Sequence, residues 1–374
     1  MTEVELGLGK RARAAYSFDD IAIAPSRRTR DPHDISVEWQ IDAYRFAHPI
    51  IAGPVDSVVS PATAATIGQL GGLAVLNLEG LWARYPDSAP VFAEIAQLDP
   101  NSATRQLQRL YAQPVDPDLV AERIAQLRAA GIVVAGCLSP AGTVQLWRVV
   151  ADAGLDLFMI RGTTVSAEHV SSDGSPLNLK EFIYDLDTPV VVGGCATYRA
   201  ALHLMRAGAA GVLVGFGGGS THTTHQVLGV RVPMASAIAD VAAARRDYLD
   251  ESGGRYVHVI ADGAMGTSGA IVKAIACGAD AAMIASPLAR ADEAPGGGRH
   301  WGIEATHLEL PRGGVADLGT VGSFAEILLG PSHVNNGTMN LVGALRRAMA
   351  TCGYCDPKEF QRVEVVLTGP RRRG

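Results

Sequence analysis

One unit recurs along the chain and constrains its fold more than any other feature: a helix ending in small residues, a glycine, and a short apolar run. Four copies are AAGIVVAG, DAGLDLFMI, RAGAAGVLVG and ACGADAAMIA, which end near Gly136, Ile160, Gly215 and Ala285. The glycine suits the residue after a helix, and the unbroken apolar run suits a strand buried on both faces. The repeats therefore predict parallel strands that alternate with helices.

Four further apolar runs bring the number of predicted strands to eight: Pro49–Ala52, Leu73–Leu76, Val190–Val192 and Val257–Ala261. Eight such strands alternating with helices favour the α/β class and a closed (β/α)8 TIM barrel. A doubly wound open sheet is the alternative. Because no break in composition separates the two halves, we expect residues 1–374 to form a single domain.

Two segments do not fit the repeat. Residues Ala83–Pro117, between the second and third strands, predict a short pair of helices. Residues Ala291–Gly322 follow strand eight and are rich in glycine, and loops of this length are usually functional or disordered. In a barrel this segment leaves the face where active sites lie, so we predict a lid. Its candidate ligand-facing side chains are Arg299, His300, Trp301, Glu304 and His307.

Composition excludes several classes of function. A net charge of −6 gives no general attraction to nucleic acid or anionic membranes. The absence of a long apolar run and of a signal-peptide core predicts a cytoplasmic protein without a transmembrane helix. Five cysteines fit reduced thiols. Cys352 and Cys355 form a C-x-x-C without a second pair, so we expect ordinary packing and no metal site.

A glycine-rich loop follows the sixth strand, in VLVGFGGGSTHTTHQVLGVRVP. Gly215 and Gly217–Gly219 leave backbone N–H groups that can close on an anion, and Ser220 to His225 add hydroxyls and imidazoles. This order is typical of α/β proteins that present a reactive group beside a bound phosphate. The alternative is a flexible glycine hairpin with solvated polar residues.

Two neighbouring loops support a nucleotide site. Asp262 ends strand seven, Gly263 and Gly266 open the next helix, and Ser286 follows strand eight. Loops seven and eight of barrels commonly bind phosphate through backbone N–H groups and a hydroxyl, and Ser220 could add a third contact. A carboxylate repels phosphate, so Asp262 is expected to accept hydrogen bonds from a ribose diol. Its alternative role is a helix N-cap.

Five ordered motifs then identify a relationship: SFDDIAIAP, AGPVDSVVS, GFGGGSTHTT, VIADGAMGTSG and NGTMNLVGALRRAM. Together they resemble the IMP dehydrogenase/GMP reductase family, across nearly the whole chain. The segment between strands two and three is too short for a CBS pair, so the chain resembles the short branch without CBS domains. The resemblance implies a homotetramer of barrels.

The resemblance also assigns roles by position. It implies that Ser220, Gly263 and Ser286, with the loop residue Gly219, contact the phosphate of a purine nucleoside monophosphate. Asp262 matches the ribose-binding aspartate, and Thr224 matches a threonine that helps to move protons at the base. The implied cofactor is NAD or NADP, with a monovalent cation as a second candidate.

The main departure from the family is at His222, where the family has a cysteine that attacks purine C2. A thiolate is a strong nucleophile, whereas an imidazole is better suited to proton transfer. Arg161 stands where the dehydrogenases place an acidic residue toward the cofactor, so we list it as cofactor-binding. Ala264 and Ala285 replace glycines of the phosphate loops.

These observations leave three hypotheses. A purine nucleotide oxidoreductase is the first, and a GMP reductase-like reaction is slightly favoured over an IMP dehydrogenase because the lid has no evident Arg-Tyr pair. A divergent enzyme that uses His222 for acid–base chemistry is the second. A non-catalytic nucleotide-binding protein is the third.

Overall fold

A closed barrel forms the body of the protein. The computed structural model describes residues 3–99, 102–162, 165, 177–215 and 221–369. Five short strands precede the barrel: β1 (Glu3–Gly7), β2 (Lys10–Arg13), β3 (Ile21–Ile23), β4 (Trp39–Ile41) and β5 (Tyr44–Phe46). The barrel strands are β6 (Ile50–Ala52), β7 (Leu73–Asn77), β8 (Ala135–Leu138), β9 (Leu157–Arg161), β10 (Val190–Cys195), β11 (Gly211–Val214), β12 (His258–Asp262) and β13 (Ala281–Ile284). Three follow: β14 (Arg299–His300), β15 (Ala316–Asp317) and β16 (Val365–Leu367).

Helices alternate with the barrel strands and flank them. The described α-helices are α1 (Pro61–Gln69), α2 (Ala89–Ala96), α3 (Ala103–Tyr111), α4 (Pro117–Ala129), α5 (Pro140–Ala153), α6 (Leu179–Asp185), α7 (Tyr198–Arg206), α8 (Thr224–Leu228), α9 (Met234–Glu251), α10 (Ser268–Ala276), α11 (Phe324–Leu328), α12 (Leu341–Thr351) and α13 (Pro357–Phe360). Short 3-10 turns lie at Phe18–Asp20, Pro32–Asp34, Leu81–Ala83, Leu288–Arg290 and Ile303–Thr306. Within the described residues, no helix is both long and apolar enough to cross a membrane.

The sheet closes on itself, which confirms the TIM barrel and excludes the open sheet. Strand β6 pairs in parallel with β7 on one side and with β13 on the other, with Ile51 opposite both Leu73 and Met283. All eight predicted apolar runs contribute a barrel strand. Because the strands are parallel, their carboxyl ends meet at one rim, and the loops that carry the predicted site emerge there.

Local sequence explains where the helices begin and end. Helix α5 starts after Ser139, whose hydroxyl accepts a hydrogen bond from the Gly142 N–H, and it ends at Gly154 with φ +82°. That left-handed conformation favours glycine, as the repeated unit predicted. The same glycine therefore turns the chain from helix into strand β9.

The barrel interior is filled by side chains. Ile51, Val75, Met159 and other inward-facing strand residues form one apolar cluster. The β4–β5 hairpin adds Trp39 and Phe46 to this cluster, and their rings stack with centroids 5.2 Å apart. These side chains therefore pack the interior of the barrel.

The two segments outside the repeat pack against each other. The predicted helix pair is present as α2 and α3. The lid segment contains β14, a 3-10 turn and β15, with Arg299 paired opposite Asp317. A separate apolar cluster joins the helix pair to Trp301 and Ala305 of the lid. The long loop after β13 is therefore an ordered, packed segment.

A buried carboxylate binds the amino-terminal end of the barrel together. Asp280, just before β13, has a side chain only 1% exposed. It accepts hydrogen bonds from the Tyr256 hydroxyl at 2.7 Å, from Arg245 at 2.8 Å and from Lys358 at 2.5 Å. These donors come from α9, from the loop before β12 and from α13, so one carboxylate connects three parts of the chain.

We expect Asp280→Asn to lower the free energy of unfolding by about 3 kcal/mol, because it leaves the buried guanidinium of Arg245 without its counter-charge. Urea unfolding measures this difference. Glu251→Gln is the control, since it breaks the exposed Arg206–Glu251 pair and should change stability little. An unchanged urea midpoint in Asp280→Asn would contradict the role assigned to this carboxylate.

Candidate active site

A cavity of about 200 Å³ opens at the carboxyl-end rim of the barrel. Its walls come from the loops after β6, β9, β11, β12 and β13, and from His222 and the lid. The lining side chains that can bear charge are Arg161, His222, Asp262, His300 and Glu304. The barrel thus brings together residues from five loops and the lid, as a TIM-barrel site requires.

The loop after β12 offers hydrogen-bond donors to this cavity. Asp262 is the last residue of β12, and Ala264 adopts φ +57°, a left-handed conformation that favours glycine. The backbone N–H groups of Ala264, Met265 and Gly266 make no hydrogen bond within the described residues. The N-cap of α10 is Thr267 rather than Asp262, so the alternative role considered for the aspartate is not realised.

An ion pair spans the mouth of the barrel. The Arg161 Nε donates to Asp262 Oδ2 at 2.8 Å, although β9 and β12 are separated by β10 and β11. Burial opposes the charge of Arg161, but Asp262 and then Glu304 raise the pKa of the guanidinium above its ordinary value. Gly215 permits this close packing, since a Cβ there would lie 2.3 Å from the Asp262 carbonyl oxygen.

A second ion pair joins the glycine-rich loop to the lid. The Nδ1 atom of His222 lies 2.8 Å from Oε2 of Glu304, and the two side chains are 15% and 9% exposed. The contact lacks hydrogen-bond alignment, and neither atom has another hydrogen-bond partner within the described residues. Burial alone would raise the pKa of Glu304, but His222 and Arg161 lower it to about 2. Glu304 is therefore a carboxylate at neutral pH.

Backbone pairing fixes the positions of His222 and Glu304. The Thr223 N–H donates to the Arg312 carbonyl at 2.8 Å, and the Arg312 N–H donates to the Glu304 carbonyl at 3.0 Å. Gly302 lies between the two side chains, where a Cβ would come within 2.7 Å of His222 Cε1. The imidazole therefore fits only because residue 302 has no side chain.

A neutral histidine completes the lid side of the cavity. The Nδ1 atom of His300 lies 2.9 Å from the Ser57 hydroxyl, in a buried contact. Burial, with a smaller contribution from His222, lowers the pKa of His300 to about 4. His300 is thus uncharged at neutral pH and suits hydrogen bonding rather than charge pairing.

The cavity contains no cysteine thiol that could act as a nucleophile. None of the five cysteines, all of which lie in the described residues, lines the cavity. Burial raises the pKa of Cys137 and of Cys195 to about 12, so both remain protonated. Since the thiolate is the reactive form of cysteine, covalent addition by a thiol has no candidate residue here.

The structure brings together only part of the predicted site. Asp262, Gly263, Ser286, His222 and Arg161 line one cavity, together with His300 and Glu304 of the lid. Thr224 is fully buried behind it, where its hydroxyl accepts from Arg312 at 3.3 Å. Arg299 and Trp301 face the helix pair, and His307 is exposed. Ser220 and Gly219 lie outside the described residues.

Two features of the cavity were missed from the sequence. Gly53, Pro54 and Val55 line it, and Ser57 bonds His300. The available signal was the position of AGPVDSVVS directly after the first predicted strand, at the same rim as the other loops. The pairing of Arg161 with Asp262 had no comparable signal.

We expect Glu304→Gln to destabilise the protein in a pH-dependent way. Folding lowers the pKa of this carboxyl from 4.5 to about 2. The ionised carboxyl therefore contributes fully to the free energy of unfolding above pH 4.5, and this contribution is lost as the pH falls to about 2. At neutral pH the free energy of unfolding of the wild type should exceed that of the variant by about 3 kcal/mol. This difference should shrink steadily as the pH falls.

Urea unfolding over a pH series measures this difference. Glu309→Gln removes an exposed lid carboxylate and should keep the pH dependence of the wild type. A difference between wild type and Glu304→Gln that stays constant with pH would show that folding does not stabilise the Glu304 charge.

Comparison with known proteins places this site in a family. A profile described as "IMP dehydrogenase / GMP reductase domain" matches residues 15–307. The chain is 53% identical to an "uncharacterized oxidoreductase" of Mycolicibacterium smegmatis over 372 residues, which covers 97% of this chain and 99% of the relative. It is 24% identical to the inosine-5'-monophosphate dehydrogenase of Methanocaldococcus jannaschii over 477 residues, covering 96% of this chain and 94% of the other. The crystal structure of an IMP dehydrogenase/GMP reductase-like protein from Corynebacterium glutamicum matches with a TM-score of 0.93 and 49% identity, covering 98% of both chains. The chain therefore belongs to the IMP dehydrogenase/GMP reductase family.

Proposed function

We propose that this protein is a purine nucleoside monophosphate oxidoreductase of the GMP reductase type, working with NAD or NADP, in which His222 transfers a proton. The observation that carries the proposal is the His222–Glu304 pair at 2.8 Å, inside the cavity lined by the loops that the sequence resemblance assigns to a nucleotide. An imidazole beside an ionised carboxylate is a common arrangement for acid–base catalysis.

The nucleotide would bind along the rim of the barrel. The unpaired N–H groups of Ala264, Met265 and Gly266 and the hydroxyl of Ser286 suit a phosphate. Asp262 uses Oδ2 for Arg161, and its Oδ1 makes no hydrogen bond within the described residues, so that oxygen can accept from a ribose hydroxyl. With the phosphate at this loop and the ribose at Asp262, we assign the base to the side of the cavity that His222 and the lid form.

Removal of the guanine 2-amino group then needs a proton donor. In the reduction of GMP a hydride adds at C2, the bond from C2 to the exocyclic nitrogen breaks, and that nitrogen leaves as ammonia. An amine leaves readily only when it is protonated, and we assign this proton to the imidazolium of His222. Glu304 orients the ring and stabilises its charge, and the histidine regains a proton from solvent.

Arg161 is the residue that the cofactor assignment depends on. Its Nη nitrogens make no hydrogen bond within the described residues, and the side chain lines the cavity. A fixed guanidinium with unpaired donors fits an amide or phosphate oxygen of a dinucleotide. A nicotinamide would supply the hydride when bound. Residues 163–164 and 166–176, which follow Arg161, lie outside the described residues.

The direct test is turnover. The protein is incubated with GMP and NADPH, with GMP and NADH, and with IMP and NAD, and nicotinamide absorbance is followed. Oxidation of the reduced cofactor with release of ammonia from GMP supports the proposal. A flat trace in every mixture rejects an oxidoreductase of this type, and calorimetry with GMP and IMP then tests the non-catalytic alternative, a nucleotide-binding protein.

We expect His222→Ala to reduce turnover by about 10²–10⁴-fold, the usual contribution of a general acid. Among the described residues, His222 is the imidazole that contacts Glu304, and the variant has no replacement for it. Affinity for GMP should change only a few-fold, as measured by calorimetry. His225→Ala is the matched control, since His225 is exposed on α8, three residues along the chain, and should leave turnover intact. Full activity in His222→Ala would remove the histidine from the mechanism.

A further inference from the structure

The lid is fastened to a part of the chain that the barrel repeat does not include. Trp301 is 1% exposed and packs in one apolar cluster with Ile95 of α2 and with Leu107 and Leu110 of α3. Its ring also lies 6.1 Å from that of Phe92. Burial of a tryptophan side chain stabilises a structure by about 2–3 kcal/mol, so packing on the helix pair holds this lid residue in place.

A chain of buried hydrogen bonds runs from the lid through α3 to the barrel. The Trp301 Nε1 donates to the Tyr111 hydroxyl at 2.9 Å, and that hydroxyl donates to Asp56 Oδ2 at 2.6 Å. Asp56 is 1% exposed and also accepts from the Leu81 N–H at 2.8 Å. Burial and the neighbouring Asp56 raise the pKa of Tyr111 well above its ordinary value, so the hydroxyl keeps its proton.

A parallel bond reinforces this chain. His300 contacts the Ser57 hydroxyl at 2.9 Å, so two consecutive lid residues are joined to the consecutive residues Asp56 and Ser57 after β6. The 3-10 turn that carries Glu304 begins directly beyond, at Ile303. Glu304 therefore lies only three residues beyond Trp301, and the hydrogen bonds of His300 and Trp301 restrict its position.

The helix pair contacts the lid on both sides of this turn. Arg299 donates to the carbonyl of Leu98 at 2.8 Å and to that of Ile95 at 3.3 Å, near the carboxyl end of α2. A cation there is favoured by the helix dipole. On the other side, the Gln108 amide of α3 donates to the His307 carbonyl at 2.8 Å.

We propose that the α2–α3 pair is the dock that keeps the lid closed, and that Tyr111 is the positioning residue that holds Glu304 against His222. The inference goes beyond the proposed function, because it concerns the position of the lid with or without a nucleotide. Tyr111→Phe removes one hydroxyl, which leaves the buried Trp301 N–H without its acceptor and takes away one of the two hydrogen bonds that Asp56 Oδ2 accepts. Such groups are costly, so the lid should open more often.

Hydrogen exchange on the full chain without ligand tests this proposal. We expect peptides covering residues 299–306 to exchange about tenfold faster in Tyr111→Phe than in the wild type, the effect of losing one buried hydrogen bond. Tyr85→Phe is the matched control: its hydroxyl donates to the Leu110 carbonyl of α3 at 2.9 Å and makes no hydrogen bond to the lid within the described residues. Exchange in the barrel strands and in α2 and α3 should be unchanged in both variants.

Two results would overturn the proposal. Unchanged exchange of residues 299–306 in Tyr111→Phe would show that the hydroxyl does not fasten the lid. An equal increase in α2, α3 and the lid would show general loosening of the insertion rather than a dock.

A second variant and an activity measurement extend the test. Trp301→Phe keeps an aromatic ring but lacks the N–H. The double variant Tyr111→Phe/Trp301→Phe should accelerate lid exchange by less than the product of the two single effects, because both changes remove the Trp301–Tyr111 bond. If GMP is turned over, Tyr111→Phe should lower kcat about tenfold with little change in KM. Additive effects on lid exchange would contradict a shared bond. A protein without nucleotide activity still gives the exchange result, so failure of the proposed function is seen separately.

Discussion

The site depends on the cost of burying charge. Arg161, Asp262, His222 and Glu304 lie in a cavity largely closed to water, and each is compensated by a partner at 2.8 Å. Isolated ionised groups would be strongly disfavoured in such surroundings, and removal of one partner usually costs more than the pair contributes. The lack of a side chain at Gly302 leaves room for the His222 ring beside Glu304.

The two ion pairs differ in how they are held. Both members of the Arg161–Asp262 pair stand on barrel strands, so the rigid sheet fixes their geometry. In the second pair Glu304 belongs to the lid, and its contact with His222 exists only while the lid lies against the barrel. A closed barrel therefore provides a permanent binding frame, whereas the acid–base pair depends on the packing of the lid onto the helix pair.

The sequence was a good guide to the fold and to the rim of the barrel. Buried parallel strands need unbroken apolar runs, and their carboxyl ends share one rim, so the positions of Asp262 and Ser286 follow from strand order alone. Side-chain pairing across that rim was not predictable. Arg161 reaches Asp262 because the closed barrel brings their strands to one rim. The spacing of apolar residues in the sequence carries no information about which lid residue contacts His222. Trp301 was expected over the ligand but packs on Tyr111, because an indole gains more from an apolar cluster than from an open cavity.

An imidazole at position 222 is consistent with the rest of the cavity. When His222 carries a proton, the charges of the two ion pairs cancel, and a neutral set of groups is the least costly to bury. In the proposed reaction, transfer of that proton to the departing amine would leave the site with one negative charge, which Arg161 would partly offset from the neighbouring pair. That excess charge would favour the return of a proton from solvent. A thiolate at position 222 would instead have placed a second anion beside Glu304, and like charges at that distance repel. The charges of the histidine and the glutamate are thus complementary, which a thiolate beside the same carboxylate would not be.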